Sequence, residues 1–363
     1  MGLSNLLQKA GDNSTQTSIQ TVNVYGITEQ RAREICREEY AVVARDMTQE
    51  AIAVASERVG QLEDRLLPKM AAYDEKLSAF ADPAFLMSLR KAQISAACTD
   101  CKADYEILSE LLVERAKVRN DKGKQIGITH ALEIVGQVSD DALLGLALTY
   151  TSVLLVTTPE ELKKALDEYD KVFARIIRNR RLPKDNRWMD ELEILSALRI
   201  SDNRILRAEE LFSRKYAKHL VSGVKKESED YEKIKAQLAA VGLAIEDCTK
   251  PHPMKPNYIV MRAKNIKNIR IQVKKSKRIV AQKPTSEQMA VLKKVAEVLM
   301  QDEFMLPKIQ TAFMKEFNKR PYLKKVSTWW NKLNDAPVMT PVGEALANAY
   351  VRTYDPSVPK QLY

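Results

Sequence analysis

Along most of the chain, apolar positions recur at alternating spacings of three and four, the mark of helices that bury one stripe. The clearest run is Ile52, Ala55, Val59, Leu62 and Leu66. This narrow seam suits a helix packed on one partner helix, with Val59, Leu62 and Leu66 facing either a second copy or the chain's own core. Gly26 breaks the pattern upstream, and Thr28 stands where an N-cap hydroxyl would accept from an orphan amide. Pro68 and Asp82-Pro83 predict kinks or breaks, followed by a helix over 84–119 that ends in the polar run 120–124. Further helical periods cover 141–156, 159–179, 187–199, 201–223 and 225–246. After Pro284 they cover 286–300, 306–317, 323–333 and 341–354.

Two stretches read differently. In residues 17–25, Val22 and Val24 share one strand face while Ile19 and Tyr25 share the other. A lone strand leaves its ladder groups unpaired, so pairing with copies of itself makes Ile19, Val22, Val24 and Tyr25 candidates for homo-oligomerisation, together with the helix seam. Residues 257–273 carry β-branched and aromatic positions around a polar turn near 265–268, which reads as a β-hairpin. The fold class expected is mainly α, a multi-helix protein with a short N-terminal strand, a small basic hairpin and a C-terminal helix-turn-helix-like subdomain. The boundaries that follow are a strand arm at 1–27, a long-helix region at 28–122, a helical core at 123–248, the basic hairpin at 249–284 and the C-terminal subdomain at 285–363.

Composition agrees with this picture: 45% apolar and 29% charged residues with only 11 Gly and 14 Pro over 363 residues describe long regular elements with an ample core. Four cysteines over this length are too sparse for a disulfide scaffold and point to a reducing, cytoplasmic setting. The most apolar stretch, 142–156, falls short of the roughly 20 residues that span a bilayer and reads as a buried helix, so no membrane partner is expected.

Charge changes the picture most. No Asp or Glu occurs between Cys248 and Ser286, while Lys250, Lys255, Arg262, Lys264, Lys267, Arg270, Lys274, Lys275, Lys277, Arg278 and Lys283 do. Set against the formal +10 of the whole chain, these eleven cations leave −1 for the rest. Of them, Arg262, Lys264, Lys267, Arg270, Lys274, Lys275, Lys277 and Arg278 are the candidate contacts to the phosphates of DNA or RNA, since each neutralised phosphate releases condensed counterions. The same residues would also serve as a solvated face that discourages aggregation, or as the dock for an acidic protein partner. A second basic group, Lys324, Lys325 and Lys332 with Trp329 and Trp330, would lie on the third helix of the helix-turn-helix-like run. Adjacent tryptophans also suit core anchors.

Candidate chemistry is thin. Cys98, Cys101, Cys248 and His252 are zinc-ligand types, although small neighbours such as Ala96 and Ala97 suit plain burial of the cysteines. No P-loop, Gly-x-Gly-x-x-Gly, Gly-x-Ser-x-Gly or His-Glu-x-x-His motif occurs, and the basic segment has no carboxylate to hold a nuclease metal. The reading is therefore a non-enzymatic binding protein with no catalytic residues, no cofactor and no metal.

Two stretches carry a resemblance. Tyr25-Gly26-Ile27-Thr28 with Ser56-Glu57-Arg58-Val59, and Thr340-Pro341-Val342-Gly343-Glu344-Ala345-Leu346-Ala347, resemble the two ends of an uncharacterised bacterial family of accessory genome regions. Val24 departs from the Asn common there. The resemblance implies no activity; its accessory-region setting implies a part in anti-phage defence. Combined with the charge, it points to a homo-oligomeric nucleic-acid-binding component of such defence, the alternative being a scaffold that docks an acidic protein.

Overall fold

Thr28 does cap the first helix, α1 (Glu29–Val43): its hydroxyl accepts from the Arg31 amide. The turn before it is tight, because Ile27 N donates to Lys76 O at 2.7 Å and a Cβ on Gly26 would stand 2.8 Å from the Lys76 backbone. The computed structural model describes residues 26–118, 120–155, 161–201, 205–217, 220, 223–262, 269–275, 278–300 and 306–358. The strand expected at 17–25 lies outside these residues. Helices make up most of the described residues and the sheets are small, so the chain is mainly α.

Helix α2 (Gln49–Tyr73) runs through Pro68 without the expected break. Leu66, Leu67 and Met70 around the proline are buried, as α2 packs on α3 (Pro83–Cys98) and α4 (Lys102–Lys117), and that burial outweighs the missing backbone bond. Conversely, the single helix expected over 84–119 is divided at Thr99. The Thr99 hydroxyl accepts from Cys101 N and donates to the buried Asp104 carboxylate, while the Tyr105 hydroxyl donates to Thr99 O. These local bonds give the backbone an alternative to the helix ladder.

The polar run at 120–124 is no boundary. It starts α5 (Lys122–Ile134), capped by Asp121. Helix α6 (Asp140–Val153), capped by Ser139, is buried from Ala142 to Ser152, as its apolar composition required. No helix among the described residues is long and apolar enough to cross a membrane. Helices α7 (Leu162–Ile177), α8 (Arg187–Ile194) and α9 (Ala208–Lys215) follow. Between the last two, residues read as helical form β1 (Leu198–Ser201), paired antiparallel with a strand at Ala336–Met339.

Residues 224–299 enclose a second, smaller core built from Val224, Ile234, Leu238, Ile259, Ile271, Leu292 and Leu299 among others. Its elements are β2 (Val224–Lys225), α10 (Glu229–Ala239), α11 (Ile245–Cys248), β3 (Thr249–Pro251), β4 (Tyr258–Met261), β5 (Ile271–Lys275), β6 (Arg278–Gln282) and α12 (Ser286–Met300). Strand β4 pairs with β2 and β3, whereas β5 pairs with β6. The basic segment is thus one side of a larger unit rather than a separate piece at 249–284.

All else shares the first core, which runs from Ala32 to Val358 and includes α13 (Leu306–Phe317), α14 (Pro321–Trp330) and α15 (Pro341–Tyr354), with the Ala336–Met339 strand as β7. The boundaries expected at 122 and 285 therefore do not separate cores. The three helices expected to form a helix-turn-helix unit are divided: α12 belongs to the second core, α13 and α14 to the first.

Candidate nucleic-acid interface

The hairpin differs in register from the sequence expectation. Strand β4 does not fold back on β5 through the 265–268 turn; β5 and β6 make the hairpin, with Ile271 opposite Gln282 and Lys275 opposite Arg278. This register places Lys274 and Lys275 on one strand end and Arg278 on the other, leaving only Ser276 and Lys277 to connect them. The anchor is at the opposite end, where Ile269 and Ile271 are buried in the second core. Sequence contributes the cations and the structure gathers them at the end remote from the anchor.

The other candidates divide. Arg270 is exposed beside the anchor. Arg262 is tied into its own unit: its guanidinium donates to Glu246 O and Thr249 O at 3.0 and 2.9 Å, which makes it a brace between α11 and β3. Lys264, Lys267 and Lys277 lie outside the described residues, as do Ile19, Val22, Val24 and Tyr25.

Of the oligomerisation candidates that are described, Val59 is 2% exposed and Leu62 and Leu66 are fully buried within one chain. The seam faces α3 and α4, so core packing replaces the reading in which it meets a second copy. The cations around it are paired as well: Lys69 reaches Glu106 and Glu110, Arg65 reaches Glu106, and Arg352 of α15 reaches Glu110.

The zinc set is not assembled. Cys98 ends α3 exposed and Cys101 precedes α4, rather than both lying buried in mid-helix, while Cys248 is buried in the second core. Burial pushes the Cys248 thiol up to about 11. His252 accepts through Nδ1 from the amides of Met254 and Lys255, a turn-shaping role. Among the described residues no group of three or more His, Cys, Asp or Glu could hold a metal ion.

Lys215 draws notice as a lysine whose pKa burial lowers well below the ordinary value. Its ammonium nonetheless donates to Thr151 O, Ser152 O and the Tyr169 hydroxyl at 2.8 to 2.9 Å, so all three protons are taken. It caps the carboxyl end of α6, where a cation complements the helix dipole.

The tryptophans of α14 are core anchors, 5% and 4% exposed, with Trp329 Nε1 donating to Pro183 O at 3.0 Å and Trp330 Nε1 to Leu206 O at 2.8 Å. Lys324, Lys325 and Lys332 remain exposed and line a cleft shared with residues 179–186. Arg181 and Lys184 of that cleft were missed in the sequence, because nothing local signals that a segment about 140 positions away will lie opposite them.

The motifs at the two ends are structural. Thr340 caps α15 by accepting from Gly343 N, and its own hydroxyl donates to Ser196 O. A Cβ on Gly343 would stand 1.9 Å from Ala197 O, so only glycine lets α15 approach β1 this closely. In Ser56-Glu57-Arg58-Val59, Arg58 donates to Ala97 O at the end of α3 and Val59 is core.

No curated protein and no solved structure matches the chain. The chain belongs to an uncharacterised family whose model matches residues 26–356.

Proposed function

Starting from membership of a family that assigns no activity, we propose that this protein binds the phosphate backbone of DNA or RNA through the β5–β6 hairpin, as a non-enzymatic component of bacterial anti-phage defence. The observation that carries the reading is the register of the hairpin. It brings Lys274, Lys275 and Arg278 to one end while Ile271 holds the other in the second core, within a stretch free of carboxylates from 249 to 285. A two-stranded β-ribbon is of a width that the major groove admits, and contacts from its cations to phosphates need no base identity to be useful. Assembly of copies through residues 1–27 would multiply these contacts by avidity, since weak sites on linked copies act at high effective concentration.

The test is fluorescence anisotropy on labelled single- and double-stranded oligonucleotides across a salt series, comparing the wild type with Lys274→Glu, Lys275→Glu, Lys277→Glu and Arg278→Glu combined. Affinity should fall at least about tenfold, and the slope of log K against log[salt] should shrink by about three to four. Equal affinity and equal slope in both proteins would sink the proposal. Retention of an acidic polypeptide by the wild type, with no oligonucleotide binding at any salt, would transfer the hairpin to a protein partner.

A further inference from the structure

A cleft of about 830 Å³ opens between the 179–186 segment and α14. Its two banks are joined by the Trp329 indole donating to Pro183 O and by Lys325 Nζ donating to Arg180 O at 3.3 Å. Arg180 is itself fixed, its guanidinium bonded to the Tyr350 hydroxyl and Ile176 O and resting 5.0 Å from the Tyr354 ring centre.

Five exposed cations line the opening: Arg181 and Lys184 on one bank, Lys324, Lys325 and Lys332 on the other. Among the described residues no carboxylate lies within ion-pair distance of any of them, in contrast to the paired cations of α1, α2 and α15. The carboxylate in the lining, Asp185, is neutralised by Arg187 at 2.7 Å, which holds it below the ordinary carboxylate range. Like charges left facing one another across a concavity cost stability unless an anion sits between them.

The floor is not polar. Leu182, Pro183 and the edge of Trp329 form it. A volume of this size lies in the range of small-molecule sites, and an apolar floor ringed by cations matches a ligand with a flat organic part and a highly charged tail.

We propose that this cleft binds a nucleoside polyphosphate, with the base against Leu182 and Pro183 and the phosphates between Arg181 and Lys184 on one bank and Lys324, Lys325 and Lys332 on the other. The site is built by the first core and is independent of the hairpin and of what the hairpin binds. The cations sit at exposed positions, so removing them spares the core.

The experiment is calorimetric titration of the full chain with ATP, tripolyphosphate, adenosine and a single-stranded oligonucleotide. It is repeated on the variant Arg181→Gln, Lys184→Gln, Lys324→Gln and Lys332→Gln, whose thermal unfolding is checked against the wild type. ATP should bind the wild type, adenosine should not, and the variant should lose at least about tenfold in ATP affinity while its ligand-free melting temperature is no lower than that of the wild type. The fourfold hairpin variant should bind ATP as the wild type does, which separates this site from the proposed nucleic-acid interface. Absent ATP binding, or ATP binding unaffected by the cleft substitutions, overturns the proposal. Tripolyphosphate binding as tightly as ATP removes the role given to the base, and an oligonucleotide that displaces ATP at lower concentration assigns the cleft to a strand instead; each outcome overturns the free-nucleotide assignment.

Discussion

Two basic regions of this protein are made in opposite ways. At the hairpin, Lys274, Lys275 and Arg278 are neighbours in sequence and become neighbours in space through a single strand pairing. At the cleft, Arg181 and Lys184 meet Lys324, Lys325 and Lys332 only because α14 is seated on the first core and Trp329 is bonded to Pro183. The first is charge written as a run; the second is charge assembled by packing. A run can be tuned by substitution without touching the fold, whereas an assembled patch inherits the stability of the core beneath it.

The difference can be broken most forcefully from beneath the cleft. Trp329→Ala removes a buried ring and leaves Pro183 O without its donor. The expected cost is about 3 to 5 kcal/mol, read by denaturant unfolding. Nucleotide binding should be lost with it while oligonucleotide binding through the second core persists. Loss of both together would mean that the two regions are not separately held.

The reciprocal change is Ile271→Ala, at the fully buried anchor of the hairpin. It should cost about 2 to 5 kcal/mol within the second core. Amide exchange should speed up across β5 and β6 and leave α14 protected. Exchange accelerated equally in both regions would show one cooperative unit where the cores suggest two.

A smaller effect tests the ion-paired body against which both regions stand out. Glu63 has no ion-pair partner within range among the described residues, and burial, opposed only in part by Arg37 and Arg33, pushes its carboxyl up to about 7. A folded-state pKa above the unfolded value means the folded chain holds a proton that the unfolded chain releases. Stability contributed by this group is therefore fully present below the usual glutamate range and is lost as pH rises toward 7 and beyond. Glu63→Gln should raise the melting temperature at pH 8 and change it little at pH 4.5. Equal shifts at both values would deny the titration.

Much of the helical architecture was legible, because its signals are local. Thr28 caps α1 where its short polar side chain precedes an apolar period, Asp82-Pro83 marks a break, and α15 begins and ends where Pro341 and Tyr354 suggested. Misreadings fell where tertiary contacts, or side-chain bonds to the local backbone, compete with periodicity. Pro68 stays inside α2 because its neighbours are buried, Thr99 splits a continuous periodic run through a bond to Asp104, and 198–201 becomes a strand because 336–339 lies beside it. The seam of Val59, Leu62 and Leu66 was correctly seen as apolar, but periodicity cannot say whether the partner helix belongs to the same chain.

The sequence by itself determined a mainly helical chain, its caps and the concentration of positive charge between 249 and 285. These depend on residues within one or two turns of each other, where backbone geometry fixes who can meet. Tertiary structure alone decided that the basic strands pair as 271–275 with 278–282, that Gly343 must be glycine to clear Ala197 O, and that α14 faces residues 179–186. Those outcomes depend on contacts between residues far apart in the chain, settled by which apolar faces can be buried together and carrying no mark in any short stretch of sequence.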